Sequence, residues 1–152
     1  MAPSREQLLK ITNLFLDSFN EFTPQSVVKY RSSNCRWRIL PERLEQPPQN
    51  NTEYANMIGS LQDLTPSFRV YIVEGFEPAV DVVTRQVTLH VKSHSDTKVG
   101  LYQNEYVWVI TFNEEGTEIV DVLEFVDSLY MNEWFPKLIK ASEEFAKKQG
   151  QS

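Results

Sequence analysis

Cysteine is nearly absent from this chain: Cys35 stands alone, which excludes an internal disulfide and any cysteine-rich metal site. Basic residues are outnumbered, 15 lysines and arginines against 21 acidic residues, for a net charge of −6. That balance argues against nucleic acid or an anionic membrane surface as a partner. No apolar run reaches roughly 18 residues, so no segment is expected to span a bilayer. The opening Met-Ala-Pro-Ser-Arg-Glu-Gln carries charges where a secretory signal needs its apolar region, and a cytoplasmic location is expected. The two histidines, His90 and His94, flank a polar stretch without a third ligand at sensible spacing, so no zinc site is expected. There is no internal repeat or low-complexity tract. What remains is one domain spanning residues 1–152, with loose ends expected at 1–3 and 147–152.

The organising stretch is residues 100–112, Gly-Leu-Tyr-Gln-Asn-Glu-Tyr-Val-Trp-Val-Ile-Thr-Phe, free of proline and rich in aromatic and β-branched residues. It reads as a long central strand. Alternation puts Tyr102, Asn104, Tyr106, Trp108 and Ile110 on one face and Gln103, Glu105, Val107, Val109 and Thr111 on the other. Both faces are polar toward Gly100 and apolar toward Phe112, as suits the wall of a pocket.

Upstream the periodicity is helical. Ser4 and Gln7 make a capping box for an amphipathic helix over about 5–20, and Thr23 with Pro24 opens a second, short one. Residues 32–34 read as a turn and 35–40 as a short strand ended by Pro41; after a proline-rich loop, Thr52 caps a third helix to about Leu64. From there the pattern alternates, with strands over 68–76, 80–93, 100–112 and 117–127, a polar turn over 93–98 and a hairpin turn over 113–116. A terminal helix from Ser128 is interrupted near Pro136. Segregated helices and a meandering antiparallel sheet make an α+β domain. A curved sheet wrapped around the first helix leaves a cone-shaped cavity open at one end.

Three segments together resemble a known family: Asn34-Cys35 through Ile39-Leu40-Pro41, Gly100-x-Tyr102-x-Asn104-Glu105-Tyr106-x-Trp108, and Glu124-Phe125-Val126-Asp127-Ser128. They are similar to the fungal SnoaL-like isomerases and cyclases of secondary metabolism, in the nuclear transport factor 2-like superfamily that also holds ketosteroid isomerase, scytalone dehydratase and polyketide cyclases. The resemblance runs from about residue 4 to 139. It implies the cone-shaped fold and a small dimeric enzyme without metal or organic cofactor, rearranging polyketide, xanthone or meroterpenoid intermediates by acid–base chemistry. One position departs: two residues after the first-strand cysteine the family often carries a histidine, and this chain has Trp37, so no role of that histidine transfers.

Such chemistry needs a base, an acid and a group that steadies a developing oxyanion. A simple register across the 113–116 hairpin sets Asp127 across from Tyr102 and Phe125 across from Asn104. Tyr102, Asn104, Tyr106, Asp121 and Asp127 then share the pocket face, while Glu105 and Glu124 oppose one another on the other; a one-residue bulge would swap the grouping. Asp127, where the resemblance implies an acid/base carboxylate, is the first candidate for the base, against a plain helix-capping role. Glu105 is its rival. Arg38 is placed to polarise a carbonyl, or else to form a surface ion pair. His90 suits a proton shuttle, or is a solvent-facing histidine. Tyr102, Asn104, Tyr106, Trp37, Tyr54, Met57 and Phe68 are expected to line the cavity around a polycyclic small molecule, or simply to pack the core. The leading function is isomerase or cyclase; a dehydratase working through His90 and a non-catalytic carrier of an apolar ligand are the alternatives. A sheet apolar on both faces predicts a homodimer that covers its convex side.

Overall fold

The computed structural model describes residues 2–150. Helix α1, Arg5–Phe19, starts where Ser4 Oγ accepts a hydrogen bond from the Gln7 amide at 3.1 Å. Only half of the capping box forms, because the Gln7 side chain reaches instead to the carbonyl of Glu115 at 2.9 Å. This ties the start of the helix to the hairpin turn of the sheet. Pro3 is buried there against Gly116, at whose positive φ of 69° a side chain would collide with it. Met1 and the last two residues, where loose ends are expected, lie outside the described residues.

A single 3₁₀ turn, Ser26–Val28, replaces the short second helix, with Thr23 Oγ1 accepting from the Ser26 amide at 3.0 Å. Strand β1, Arg31–Leu40, begins earlier than its apolar pattern suggests: residues 32–34 continue the strand through a bulge between Arg31 and Arg36. Helix α2, Asn51–Leu61, opens two residues early because Asn50, with Glu53, supplies a complete capping box in place of Thr52.

Strands β2, Arg69–Ile72, and β3, Ala79–Asp81, both pair with β4, Gln86–Thr97. The expected strand over 80–93 is therefore two strands, split by a turn in which Asp81 accepts from the Val83 and Thr84 amides. Conversely, the expected polar turn over 93–98 is mostly strand. Ser93 and Ser95 point inward and are buried because each hydroxyl has a partner, Tyr106 and the Pro66 carbonyl respectively. β5, Gly100–Phe112, and β6, Ile119–Val126, complete the sheet, whose order is β1-β6-β5-β4-β2 with β3 beside β4. All neighbours are antiparallel except β1 and β6, which are parallel. Helix α3, Ser128–Gly150, runs on through Pro136 without the expected interruption.

The core lies between the inner face of the sheet and α1 and α2. Phe15 and Phe19 of α1 meet Trp37 of β1 and Trp108 of β5, and all four are buried. Cys35 belongs to this core, where burial raises its thiol pKa and makes it a small apolar residue rather than a nucleophile. No helix among the described residues is long and apolar enough to cross a membrane.

Candidate active site

Register decides what enters the cone. Across β5 and β6, Tyr106 faces Val126, Trp108 faces Glu124 and Ile110 faces Val122, with an irregularity between Thr111 and Phe112. The expected pairing of Asp127 with Tyr102 is thus displaced, and the grouping that followed from it is reversed. Glu124 points into the cone beside Trp108, and Asp121 and Asp127 fall on the outside. The turn causes the shift: Asn113 Oδ1 accepts from the amides of Thr117 and Glu118, which lengthens the loop beyond a simple hairpin. A strand moved by an odd number of positions exchanges its two faces.

All four residues proposed from sequence for the chemistry lie outside the cone. Asp127 is exposed and accepts from the Tyr130 amide at the head of α3, which is the capping role. Glu105 and His90 pair with one another on the convex face at 2.5 Å. Arg38 holds Asp121 through two hydrogen bonds, Nε to Oδ1 at 3.1 Å and a terminal nitrogen to Oδ2 at 2.8 Å, also on that face. Three of the four enter surface ion pairs, His90 with Glu105 and Arg38 with Asp121, while Asp127 caps α3, and none lines the cavity inside the cone.

The residues proposed for binding sit differently. Trp37, Tyr54, Met57, Phe68, Tyr102 and Tyr106 all line a cavity of about 110 Å³ inside the cone. Asn104 is buried just behind it, donating from Nδ2 to the Tyr102 hydroxyl at 2.9 Å while its Oδ1 accepts from the Glu105 amide at 2.8 Å. The two tyrosine hydroxyls lie 3.2 Å apart, and Ser93 Oγ is 2.9 Å from that of Tyr106. Burial pushes both tyrosine pKa values above their ordinary value, so each stays a neutral hydroxyl. Met131, Phe135 and Leu138 of α3 complete the lining.

Glu124 is the cavity residue that the sequence reading missed. It is 7% exposed, and Trp108 Nε1 donates to its Oε1 at 3.0 Å. Burial pushes its pKa from an ordinary 4.5 up to about 7, while the hydrogen bond from Trp108 pulls the other way. The Trp37 indole beside it acts in the same direction as Trp108 from outside hydrogen-bond geometry, and its own Nε1 is left without a partner. A carboxyl group poised near neutrality in an apolar cavity can both take and return a proton. The signal for it was present in the Glu-Phe-Val-Asp-Ser segment, but only the register says which of the two carboxylates in that segment faces inward.

Arg31, 6% exposed, is the buried cation of the region. Its guanidinium lies over the ring faces of Trp37 and Tyr54, 5.5 and 5.0 Å from their centroids, with none of its nitrogens hydrogen-bonded. It stands behind the aromatic wall rather than in the cavity lining. Among the described residues, no group of three or more histidine, cysteine, aspartate or glutamate side chains converges as a metal site.

No family model matches the chain. It is 34% identical over 139 residues to austinoid biosynthesis clusters protein H of Penicillium brasilianum, a match covering 91% of this chain and 95% of that protein. The crystal structure of BvnE pinacolase from Penicillium brevicompactum is 37% identical and superposes with a TM-score of 0.86 over 90% of this chain and 93% of its own. A nuclear transport factor 2-like protein from Burkholderia xenovorans, 13% identical with a TM-score of 0.63 over 86% of this chain and 96% of its own, shares the fold alone. Cone, cavity and relatives agree: the chain has the nuclear transport factor 2-like fold and belongs to the fungal SnoaL-like isomerases and cyclases of secondary metabolism.

Proposed function

We propose that this protein is a cofactor-independent isomerase or cyclase that rearranges a polycyclic meroterpenoid, polyketide or xanthone intermediate by general acid–base catalysis at Glu124. The observation that carries the reading is a single carboxyl group with a pKa of about 7 in a cavity otherwise lined by aromatic and aliphatic side chains and neutral hydroxyls. In its ionised form Glu124 removes a proton from the substrate, leaving the electron pair as an enolate or phenolate. Tyr102 and Tyr106, each a neutral hydroxyl within the same wall, donate to the oxygen on which that charge develops. Glu124, now protonated, returns the proton at a second position, so the product is an isomer of the substrate.

The cavity of about 110 Å³ is smaller than the roughly 300 Å³ or more that a drug-sized ligand fills. A polycyclic substrate therefore enters as Met131, Phe135 and Leu138 give way. Helix α3 suits this movement, because Leu138, itself 9% exposed, is its one buried residue among those described.

The protein acts in the cytoplasm as a homodimer. On the convex face Val107 and Phe125 are register partners yet 41% and 52% exposed, a greasy centre flanked by the Glu105–His90 and Arg38–Asp121 pairs. A second copy covering this face accounts for that exposure, and Phe125→Asp should yield a monomer by size exclusion.

Incubation with candidate polycyclic intermediates tests the function. Products of unchanged mass, absent with Glu124→Gln, are expected. Loss of the mass of one water would make the protein a dehydratase, and tight binding without turnover would make it a carrier.

A further inference from the structure

Two hydrogen-bond donors of the cavity wall have no protein partner among the described residues. Trp37 Nε1 is buried and unsatisfied. The Tyr54 hydroxyl, on a residue only 4% exposed, also makes no hydrogen bond, and unlike the indole nitrogen it keeps some accessible surface. Their rings stack, with centroids 4.7 Å apart and planes inclined by 29°, and both residues line the same cavity as Glu124.

This pair is fixed in place by the loop before α2 and by its neighbours in the core. The proline-rich loop returns to bridge β1, where the Trp37 amide donates to the Gln49 carbonyl at 2.9 Å and the Gln49 amide to the Trp37 carbonyl at 3.0 Å. Phe19 stacks on the Trp37 indole at 6.0 Å, and Trp108 meets it edge-on at 5.1 Å and 85°. Tyr54 is set by the capping box that opens α2, its amide bonded to the Asn50 carbonyl at 3.0 Å. Arg31 presses against both rings from behind.

A buried donor with no acceptor is costly, and phenylalanine in place of Trp37 would keep the stacking without the cost. Wedged between rings, the indole lies beside Glu124, close enough to lower that group's pKa yet outside hydrogen-bond geometry. The cavity lining itself contains no lysine, arginine or histidine, so the oxygen these donors await need not be charged.

We infer that Trp37 and Tyr54 form a preorganised two-donor seat for one carbonyl or hydroxyl oxygen of an uncharged polycyclic ligand, holding it beside Glu124. This deepens the acid–base reading and rests on it for the role of the ligand as substrate, but the seat is a binding claim that can be tested without turnover. Trp37 is thereby a specificity residue in its own right. An indole N–H donates without titrating, whereas a histidine would alternate between donor and acceptor.

The test uses ¹⁵N-labelled full-length protein and three small probes with one carbon ring: cyclohexanone, cyclohexane and cyclohexanecarboxylate. The Trp37 indole signal is assigned by its loss in Trp37→Phe. The expected result is that cyclohexanone shifts that signal downfield and cyclohexane does not. Removal of either donor, by Trp37→Phe or Tyr54→Phe, weakens ketone binding about three- to tenfold and leaves the hydrocarbon unchanged, the range of one net hydrogen bond. The seat is overturned if the ketone is not bound, if ketone and hydrocarbon act on the indole alike, if both variants bind ketone as the parent does, or if the carboxylate binds more tightly than the ketone. Should Trp37→Phe fail to fold, Tyr54→Phe and the indole response of the parent protein still decide. Glu124→Gln separates the two readings: it abolishes turnover if Glu124 is the acid–base group, and it leaves the ketone response of the indole intact if the seat is real.

Discussion

The sheet of this protein carries a glutamate on each face, three positions apart in one strand pairing, and the two have opposite fates. Glu105 on the convex side keeps half its side chain in water and pairs with His90. Glu124 on the concave side is enclosed by indole rings, receives one hydrogen bond and holds its proton to about pH 7. Arg38 and Asp121 repeat the outer pattern, each answering the other in partial contact with solvent. Charges on the outside of such a cup are mutually satisfied, and their contribution is small. The single carboxyl inside has one indole hydrogen bond and no countercharge in the cavity lining, which makes it both a liability for stability and a working acid–base group.

The sharpest way to break this comparison is to neutralise each glutamate in turn. Glu124→Gln should lower turnover by about 10²- to 10⁴-fold, the usual worth of a general acid–base group, while Glu105→Gln changes the rate of the same reaction by less than about twofold. A steady-state assay with any accepted substrate compares them directly.

Stability gives the next largest contrast. The unfolded chain releases the Glu124 proton near the ordinary 4.5, whereas the folded protein keeps it to about 7. In that interval the folded state binds more protons, so stability falls as pH rises and levels off above it, by about 3 kcal/mol in total from this group. Urea denaturation of the parent and of Glu124→Gln across this range should show the variant gaining relative stability as pH increases, with the two closest at the acid end. Glu105→Gln should track the parent throughout.

Trp108→Phe sharpens the inner side of the comparison. The indole N–H is the partner that draws the Glu124 pKa downward, so its loss moves the titration above 7 and shifts the rising limb of a pH–rate profile the same way. On the outer side, His90→Ala and Arg38→Ala should each cost less than about 1 kcal/mol in the same denaturation experiment and leave that profile in place.

Much of the architecture was legible because alternation is a strong signal where one face is buried. In β5 every even-numbered residue from Tyr102 to Phe112 is buried, as the pattern of residues 100–112 indicates. Polar strand segments were not legible: Ser93 and Ser95 have hydroxyls that find partners only in the folded protein, Tyr106 and the Pro66 carbonyl, and residues 32–34 belong to a bulged part of β1. The face assigned to β6 failed for a related reason. Its register depends on the Asn113 side chain gathering two amides in the turn and on the irregularity at Thr111 and Phe112, neither of which has a periodic signature. One unseen step in that turn exchanged Glu124 for Asp121 and Asp127 as the carboxylate inside the cone. The aromatic lining was less sensitive to this error, because Tyr102, Tyr106 and Trp108 belong to a strand whose inner face its own sequence specifies.

Carbon-13 NMR of the glutamate side-chain carboxyls, followed from acid to mild alkali in the intact protein, reads the central claim without requiring a substrate. One carboxyl should titrate near pH 7, and that signal should be missing from Glu124→Gln and unchanged in Glu105→Gln. If every glutamate titrates in the ordinary range near 4.5, or if the high-pKa signal survives in Glu124→Gln, the cone holds no poised proton and the account of its chemistry is wrong.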